Sequence, residues 1–270
     1  MMRWLRRNII GVIAVLVLVY LFVPIAVVAV LSFNQPEGKY NITFNEFSLS
    51  AWANMCGVPG VCESFALSIQ IGLLATVIAT IFGTMIAFAL VRYRFRGRDT
   101  TNLLIFLPMA TPEVVLGSSL LALFLNITFP LGFWAVTIAH IMFIISFIVV
   151  AVKARLQGMD PRLEEASRDL YASPRATFRY VTFPLVLPGI LGAALLGFAL
   201  SFDDFIITFF NAGTMVTFPV YIWGAAQRGI PVQVYALATL VFFLSLVLVL
   251  VVQGVNARRR RRLEAAVAAS

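Results

Sequence analysis

Six stretches of this chain are apolar on every side, at about 9–31, 65–91, 103–125, 131–152, 185–207 and 233–253. None shows the two-residue alternation of a half-buried strand or the polar face of a surface helix. A bilayer core about 30 Å thick needs roughly 20 apolar residues per helix, so each stretch predicts a membrane span. The predicted fold is all-α, a polytopic membrane protein with six transmembrane helices. It divides into an N-terminus at 1–8, a transmembrane domain at 9–257 and a basic tail at 258–270. A loop at 32–64 and a charged loop at 153–184 interrupt the oil.

Small residues recur every fourth position in the second span (Ala75, Ala79, Gly83, Ala87) and in the fifth (Gly189, Ala193, Gly197, Ser201). Such rows let helix backbones approach closely in lipid, either within the chain or against another subunit. No internal repeat is visible. Loop 32–64 predicts a short surface helix near Phe47–Trp52, with Ser48 or Ser50 as its N-cap.

Composition supports the membrane reading: 270 residues are 61% hydrophobic and 12% charged. The net charge of +8 is distributed by topology. With the N-terminus inside, the inner segments hold Arg3, Arg6 and Arg7, then Arg92 to Arg98, then Lys153 to Arg179, then Arg258–Arg262. Only Lys39 and Arg228 fall outside, as the positive-inside rule requires of an N-in, C-in protein. The run Arg258–Arg262 follows a span directly and reads as a contact with anionic lipid rather than with nucleic acid. The first apolar run is too long for a signal-peptide core and reads as a retained span. Cys56 and Cys62 both fall in the outer loop, where they could pair as a disulfide or remain free thiols.

Acids at membrane depth are the candidate chemistry. Glu113 follows Pro108 and Pro112 about ten residues into the third span, near the bilayer midplane, and the prolines should bend that helix. Asp203 and Asp204 close the fifth span near its outer end, where Gly197, Ser201 and Asp204 share a helix face. With no basic residue inside any span, Glu113, Ser201, Asp203 and Asp204 suggest a path for a cation. Trp52, Trp134, Tyr221 and Trp223 suit an aromatic belt, or a vestibule that holds an organic cation through cation–π contacts. His140 stands alone in the fourth span, without a titratable neighbour one turn away, and predicts an interhelical hydrogen bond. No phosphate loop, catalytic triad or His/Cys metal cluster is present, so the chain is not expected to be an enzyme or to bind ATP and Mg²⁺ itself.

The loop at 153–184 carries ten charged residues between Lys153 and Arg179. Asp160-Pro161 reads as an N-cap and first helical residue. Leu163, Ala166 and Leu170 form an apolar stripe beside a polar face of Glu164, Arg168 and Asp169. Ser173-Pro174 starts a second short helix, with Phe178 and Val181 on one side. Two amphipathic helices at a turn make a docking knob.

These residues resemble the EAA loop of binding-protein-dependent (type I) ABC importer permeases, written Glu-Ala-Ala, three residues, Gly, nine residues, Ile-x-Leu-Pro. Glu165-Ala166-Ser167 takes the triplet, Tyr171 the Gly position, and Val181-Thr182-Phe183-Pro184 the end. If that Gly supplies a left-handed residue, Tyr171 carries strain of roughly 1–2 kcal/mol. The segments Leu200–Phe205 and Phe218–Trp223 look like the polyamine (spermidine/putrescine) group. The resemblance implies a bacterial inner-membrane permease subunit that imports a small cation by ATP-driven transport. It implies a second permease subunit, two ATPase subunits that bind ATP and Mg²⁺, and an external substrate-binding protein. Glu164, Glu165, Ala166, Ser167, Asp169, Leu170, Tyr171, Ala172 and Ser173 would form the coupling knob, with Glu165 in the ATPase groove. A permease for ferric iron, a phosphonate or an opine, or an ATP-independent secondary transporter, are the competing readings.

Overall fold

A computed structural model describes residues 2–247 and 250, with side chains from Ile9 onward. In chain order, helix α1 (Met2–Leu31) leads to a two-residue ribbon, β1 (Asn34–Gln35) and β2 (Glu46–Phe47), and to helix α2 (Ser50–Ala53). Long helix α3 (Val61–Arg92) follows, then α4 (Arg98–Ala110), α5 (Glu113–Asn126) and α6 (Phe133–Gln157). The charged loop holds α7 (Arg162–Asp169). Next, α8 (Pro174–Thr177), a π-helical turn (Phe178–Thr182) and α9 (Phe183–Asp203) run on without a break. Helices α10 (Ile206–Asn211), α11 (Phe218–Ala226) and α12 (Val232–Val247) complete the described chain.

Among the described residues, four helices are long and apolar enough to cross a membrane: Ile9–Leu31 in α1, α3, α6 and Pro174–Asp203. The third predicted span is α4 and α5, bent by 107° at their junction, and counts as a fifth if the pair crosses together. The prolines explain the bend. Pro112 has no N–H to donate, and Thr111 and Pro112 both take extended ψ values, 131° and 133°. Pro108, by contrast, sits inside α4 without ending it. The sixth predicted stretch holds the shorter apolar helix α12, and its predicted end at 253, like the basic tail, lies outside the described residues. The second short helix expected from Ser173-Pro174 is instead the beginning of the fifth span's own helix. Helices α10 and α11 were not anticipated.

The chain forms two compact units: residues 1–62 with 222–270, and residues 63–221. In the first, buried Asn34 organises the loop after α1. Its Nδ2 donates to Asn41 Oδ1 (2.6 Å) and to the Thr43 carbonyl (2.8 Å), and its Oδ1 accepts from the Asn45 backbone. Asn41 Nδ2 in turn donates to the last carbonyl of α1, Leu31 O. Phe33 stacks between Phe47 and Trp52 (5.9 and 5.2 Å between centroids). The cap of α2 is Leu49 rather than Ser48 or Ser50, and no side chain closes it. Ser48 Oγ does accept from the Ser50 N–H at 3.2 Å, one residue too early to cap the helix interior. Cys56 and Cys62 are joined by a disulfide.

The second unit is built around α6, whose residues Ile144, Ile148, Val149 and Val152 are fully buried. The small-residue rows serve that packing. A methyl group on Gly83 of α3 would approach Ile148 Cγ2 to 2.9 Å, and one on Gly197 of α9 would approach Ile148 Cδ1 to 3.0 Å. One isoleucine of α6 thus fills the notch that a glycine leaves on each neighbour. Ala75, Ala79, Ala87 and Ala193 are likewise buried.

Gly83→Val should therefore destabilise the folded protein by about 1–3 kcal/mol through overpacking. Adding Ile148→Ala should recover part of that loss in thermal unfolding of the detergent-solubilised protein. Additive losses in the double variant would show that the two residues do not share one notch.

Candidate functional site

Helix α9 stops at Asp203 because the next residue is engaged elsewhere. Asp204 takes an extended conformation (ψ 120°), and its carboxylate caps the following helix α10. Asp204 Oδ1 accepts from the Ile207 N–H (3.3 Å), and Oδ2 accepts from the N–H (2.8 Å) and hydroxyl (2.9 Å) of Thr208. His140 of α6 completes the cluster. Its Nε2 lies 3.2 Å from Asp204 Oδ2 and 2.9 Å from Thr208 Oγ1, and its Nδ1 lies 2.7 Å from Ser201 Oγ. The Nε2–H tautomer satisfies the ring: Nε2 donates to the Asp204 carboxylate and Nδ1 accepts the Ser201 hydroxyl. His140 and Asp204 are both buried.

The expected interhelical hydrogen bond of His140 is thus present, but its isolation is not. The titratable neighbour arrives from α9, 64 residues on in sequence. The signal for it was limited to Asp204 itself, a favoured helix-capping residue type inside an apolar run.

The two aspartates divide. Asp204 is buried and fully bonded, whereas Asp203 is exposed. Glu113 is also exposed, at the first position of α5 directly after the bend. Glu113 opens α5 and the Asp203-Asp204 pair immediately precedes α10, so the two acidic positions come together if those helices pack. Helix α10 makes this possible by lying tightly on α5. Asn211 Nδ2 donates to the Gly117 carbonyl at 3.2 Å, and a methyl on Gly117 would come within 3.2 Å of the Ile207 backbone. Glu113 and the adjacent Asp203-Asp204 pair, far apart in sequence, therefore flank one electronegative site, in which Glu113 and Asp203 are exposed and Ser201 faces inward to His140. Trp52 belongs to the other unit, where its Nε1 donates to Ser32 Oγ at 3.3 Å and its ring stacks on Phe33.

The charged loop is folded by its own side chains. Asp160 Oδ1 accepts from the Arg162 N–H at 3.0 Å, which supplies the expected cap although the helix starts one residue later than predicted. Helix α7 ends in a Schellman motif: Ala172 N–H donates to Ser167 O and Tyr171 N–H to Arg168 O. Tyr171 is the left-handed residue of that motif, at φ 59°, with a fully exposed ring. A glycine is favoured here because only it takes this conformation without a Cβ clash. Ser173 Oγ then caps α8 by accepting from Ala176 N–H, and Pro174 follows at the first helical position. Ser167 and Thr177 hydroxyls meet at 3.0 Å and brace the two helices.

The stripe Leu163, Ala166 and Leu170 is exposed, together with Glu165 and Asp169. Glu164 departs from its predicted place on the open polar face. It is buried, paired with Arg92 Nη2 of α3 at 2.5 Å, and accepts the Thr182 hydroxyl at 2.7 Å. An open groove of about 910 Å³ lies beside this pair, lined by Phe88, Arg92, Arg168, Arg175 and Phe183 among others. No sequence pattern links Arg92 to a residue 72 positions away.

Tyr171→Gly should raise stability by about 0.5–1 kcal/mol, the relieved strain less the chain entropy of glycine. Asp204→Ala should cost about 1–3 kcal/mol by orphaning the α10 N–H groups and His140, whereas Asp203→Ala should be nearly neutral. Thermal unfolding of the purified chain separates these. Equal losses for the two aspartates would contradict the division between them.

A family model described as "Binding-protein-dependent transport system inner membrane component" matches residues 79–262. The chain is 35% identical over 235 residues to the spermidine/putrescine transport system permease protein PotC of Haemophilus influenzae, covering 87% of this chain and 91% of that one. It is 32% identical over 230 residues to the putrescine transport system permease protein PotI of Escherichia coli, covering 82% and 81%. In structure it is similar to a chain of a bacterial ABC transporter involved in import of the acidic polysaccharide alginate, with TM-score 0.65, 17% identity and 92% and 96% covered. It is also similar to a chain of the MetNI methionine ABC transporter, with TM-score 0.54, 19% identity and 74% and 92% covered. The apolar helices, the bent α4–α5 pair and the EAA-like loop agree with that match: this chain belongs to the family of binding-protein-dependent transport system inner-membrane components, the multi-pass permeases of ABC transporters.

Proposed function

We propose that this chain is one permease subunit of an ATP-driven polyamine importer, and that it takes up spermidine or putrescine. The observation that carries this reading is the electronegative site: Glu113 and Asp203 are open, and buried Asp204 adds a third negative charge. A polyamine carries ammonium groups that need carboxylates when they leave water. Relatives named for spermidine/putrescine and putrescine transport support the same substrate class.

In this reading the membrane domain has six spans with both ends in the cytoplasm, and the second unit's loop 153–184 faces the cytoplasm. A related permease subunit completes the pathway, two ATPase subunits dock from inside, and an external binding protein delivers the substrate. Leu163, Glu165, Leu170 and Tyr171 form the docking face of α7. Closure of the ATPase pair pushes on that face, and the spans respond as rigid helices that switch access from outside to inside. ATP and Mg²⁺ belong to the ATPase partners.

The test is reconstitution of the complete importer in vesicles, with ATP-dependent uptake measured for putrescine, spermidine, ferric iron and a phosphonate. Polyamine uptake is expected, and Asp203→Asn or Glu113→Gln should lower it roughly tenfold or more at limiting substrate, equivalent to losing about 1.4 kcal/mol of interaction. Unchanged polyamine uptake in both variants, or uptake of only an anionic solute by the parent, would reject the assignment.

A further inference from the structure

Glu164 is spent on an internal contact, although its neighbours on α7 face outward. Its carboxylate joins three pieces of chain: α7 itself, Arg92 in the last turn of α3, and Thr182 at the end of the π-turn that leads into α9. Each partner is held for this purpose. Thr182 is 4% exposed, and its hydroxyl donates to Glu164 Oε1. The π-turn is closed by the Phe183 N–H donating to Phe178 O, five residues back. A turn that is one residue wider than an α-turn rotates the side chains after it by roughly 100° relative to those before. Phe178 inside the turn packs edge-on against Phe88 of α3 at 5.5 Å.

The open groove separates this end of α3 from α7, and Arg92 and Glu164 both line it. Their ion pair therefore bridges the groove. The acid of this pair is buried while the arginine keeps part of its side chain exposed, so desolvating the carboxylate offsets much of the attraction, but the contact is directional and its loss would leave a buried carboxylate without its counter-charge. Those are the properties of a mechanical link.

We propose that Glu164 is a positioning residue that locks helix α7 to the ends of α3 and α9, so that a push on the docking face moves both spans as one body. The inference rests on the coupling role given to α7 above. Glu165 meets the ATPase; Glu164, one residue before it, never does, and instead turns contact into motion of the spans.

Two measurements test the lock. Spin labels replace exposed Arg162 and Tyr93 as cysteines in the full chain, whose two native cysteines are already disulfide-bonded. The parent should give one narrow distance across the groove, the same in the assembled importer with and without ATP. Glu164→Gln should broaden it, and the milder Thr182→Val, readable even if the first variant folds poorly, should broaden it partly. In reconstituted importer, Glu164→Gln should lower solute moved per ATP hydrolysed by at least about fivefold, the lower end of typical coupling energies, while subunit assembly and ATPase rate persist. The pair exchange Arg92→Glu with Glu164→Arg should restore the ratio. A distance that changes with ATP in the parent overturns the lock, as does a narrow distance in both variants or a loss of assembly that accounts for the whole transport defect. The distance is read without any substrate, so a parent that fails to import polyamine would count against the substrate reading and leave the lock standing.

Discussion

Wherever this chain leaves the helix within its apolar stretches, a side chain has to take over hydrogen bonds that the backbone gave up. Water is not there to do it, and each orphaned group would cost several kcal/mol. The break between α9 and α10 obeys this constraint most completely. The Asp204 carboxylate receives two backbone N–H groups and the Thr208 hydroxyl, and a histidine from α6 meets the same oxygen. The α4–α5 bend is handled more simply. Thr111 returns its hydroxyl and its N–H to the Leu107 carbonyl, and Pro112 brings no N–H that needs a partner.

The same constraint explains how adjacent aspartates come to differ. A carboxylate that caps a buried helix is occupied on both oxygens, and its charge is balanced by dipoles that converge on it. Asp204 is that residue. Its neighbour Asp203 ends α9 with its side chain exposed, so it is the one available to a ligand. The dipeptide is thereby divided: one acid builds the break and the other stays exposed beside it.

Much of this was legible in the sequence, for physical reasons that also set the limits. Spans announce themselves because lipid demands apolar residues on every face, and α3, α6 and the fifth span lie close to their predicted ranges. Ser173-Pro174 is a local signal and caps its helix as read. Tyr171 was legible too, since a spacing rule identified the position in this loop where the backbone turns left-handed. What stayed hidden depends on partners distant in the chain. Periodicity put Glu164 on the polar face of α7; it could not reveal that Arg92 and Thr182 wait on that face and draw the acid inward. The continuity from Pro174 to Asp203 was missed because charged residues suggested a loop, yet Arg175 and Arg179 sit on a helix whose other side is already packed.

The buried half of the charged loop also says something about its exposed half. Asp160, Glu164, Ser167 and Ser173 all spend their polar atoms within the loop or on the spans beside it. The knob therefore holds its shape without help from a partner. Left over on the surface are Leu163, Leu170 and the ring of Tyr171, with Leu170 and Tyr171 more than four-fifths exposed. Exposed apolar groups at this density contribute nothing to a loop facing water, and burying them against another protein yields about 25 cal/mol per Å² removed from water. The loop is thus internally satisfied while it leaves Leu163, Leu170 and Tyr171 exposed among its charged residues, and the strain at Tyr171 follows from the same arrangement. The turn must bend sharply enough to bring the chain back to Ser173 and the start of the span, and the residue that makes the bend is also the one whose side chain stands furthest out.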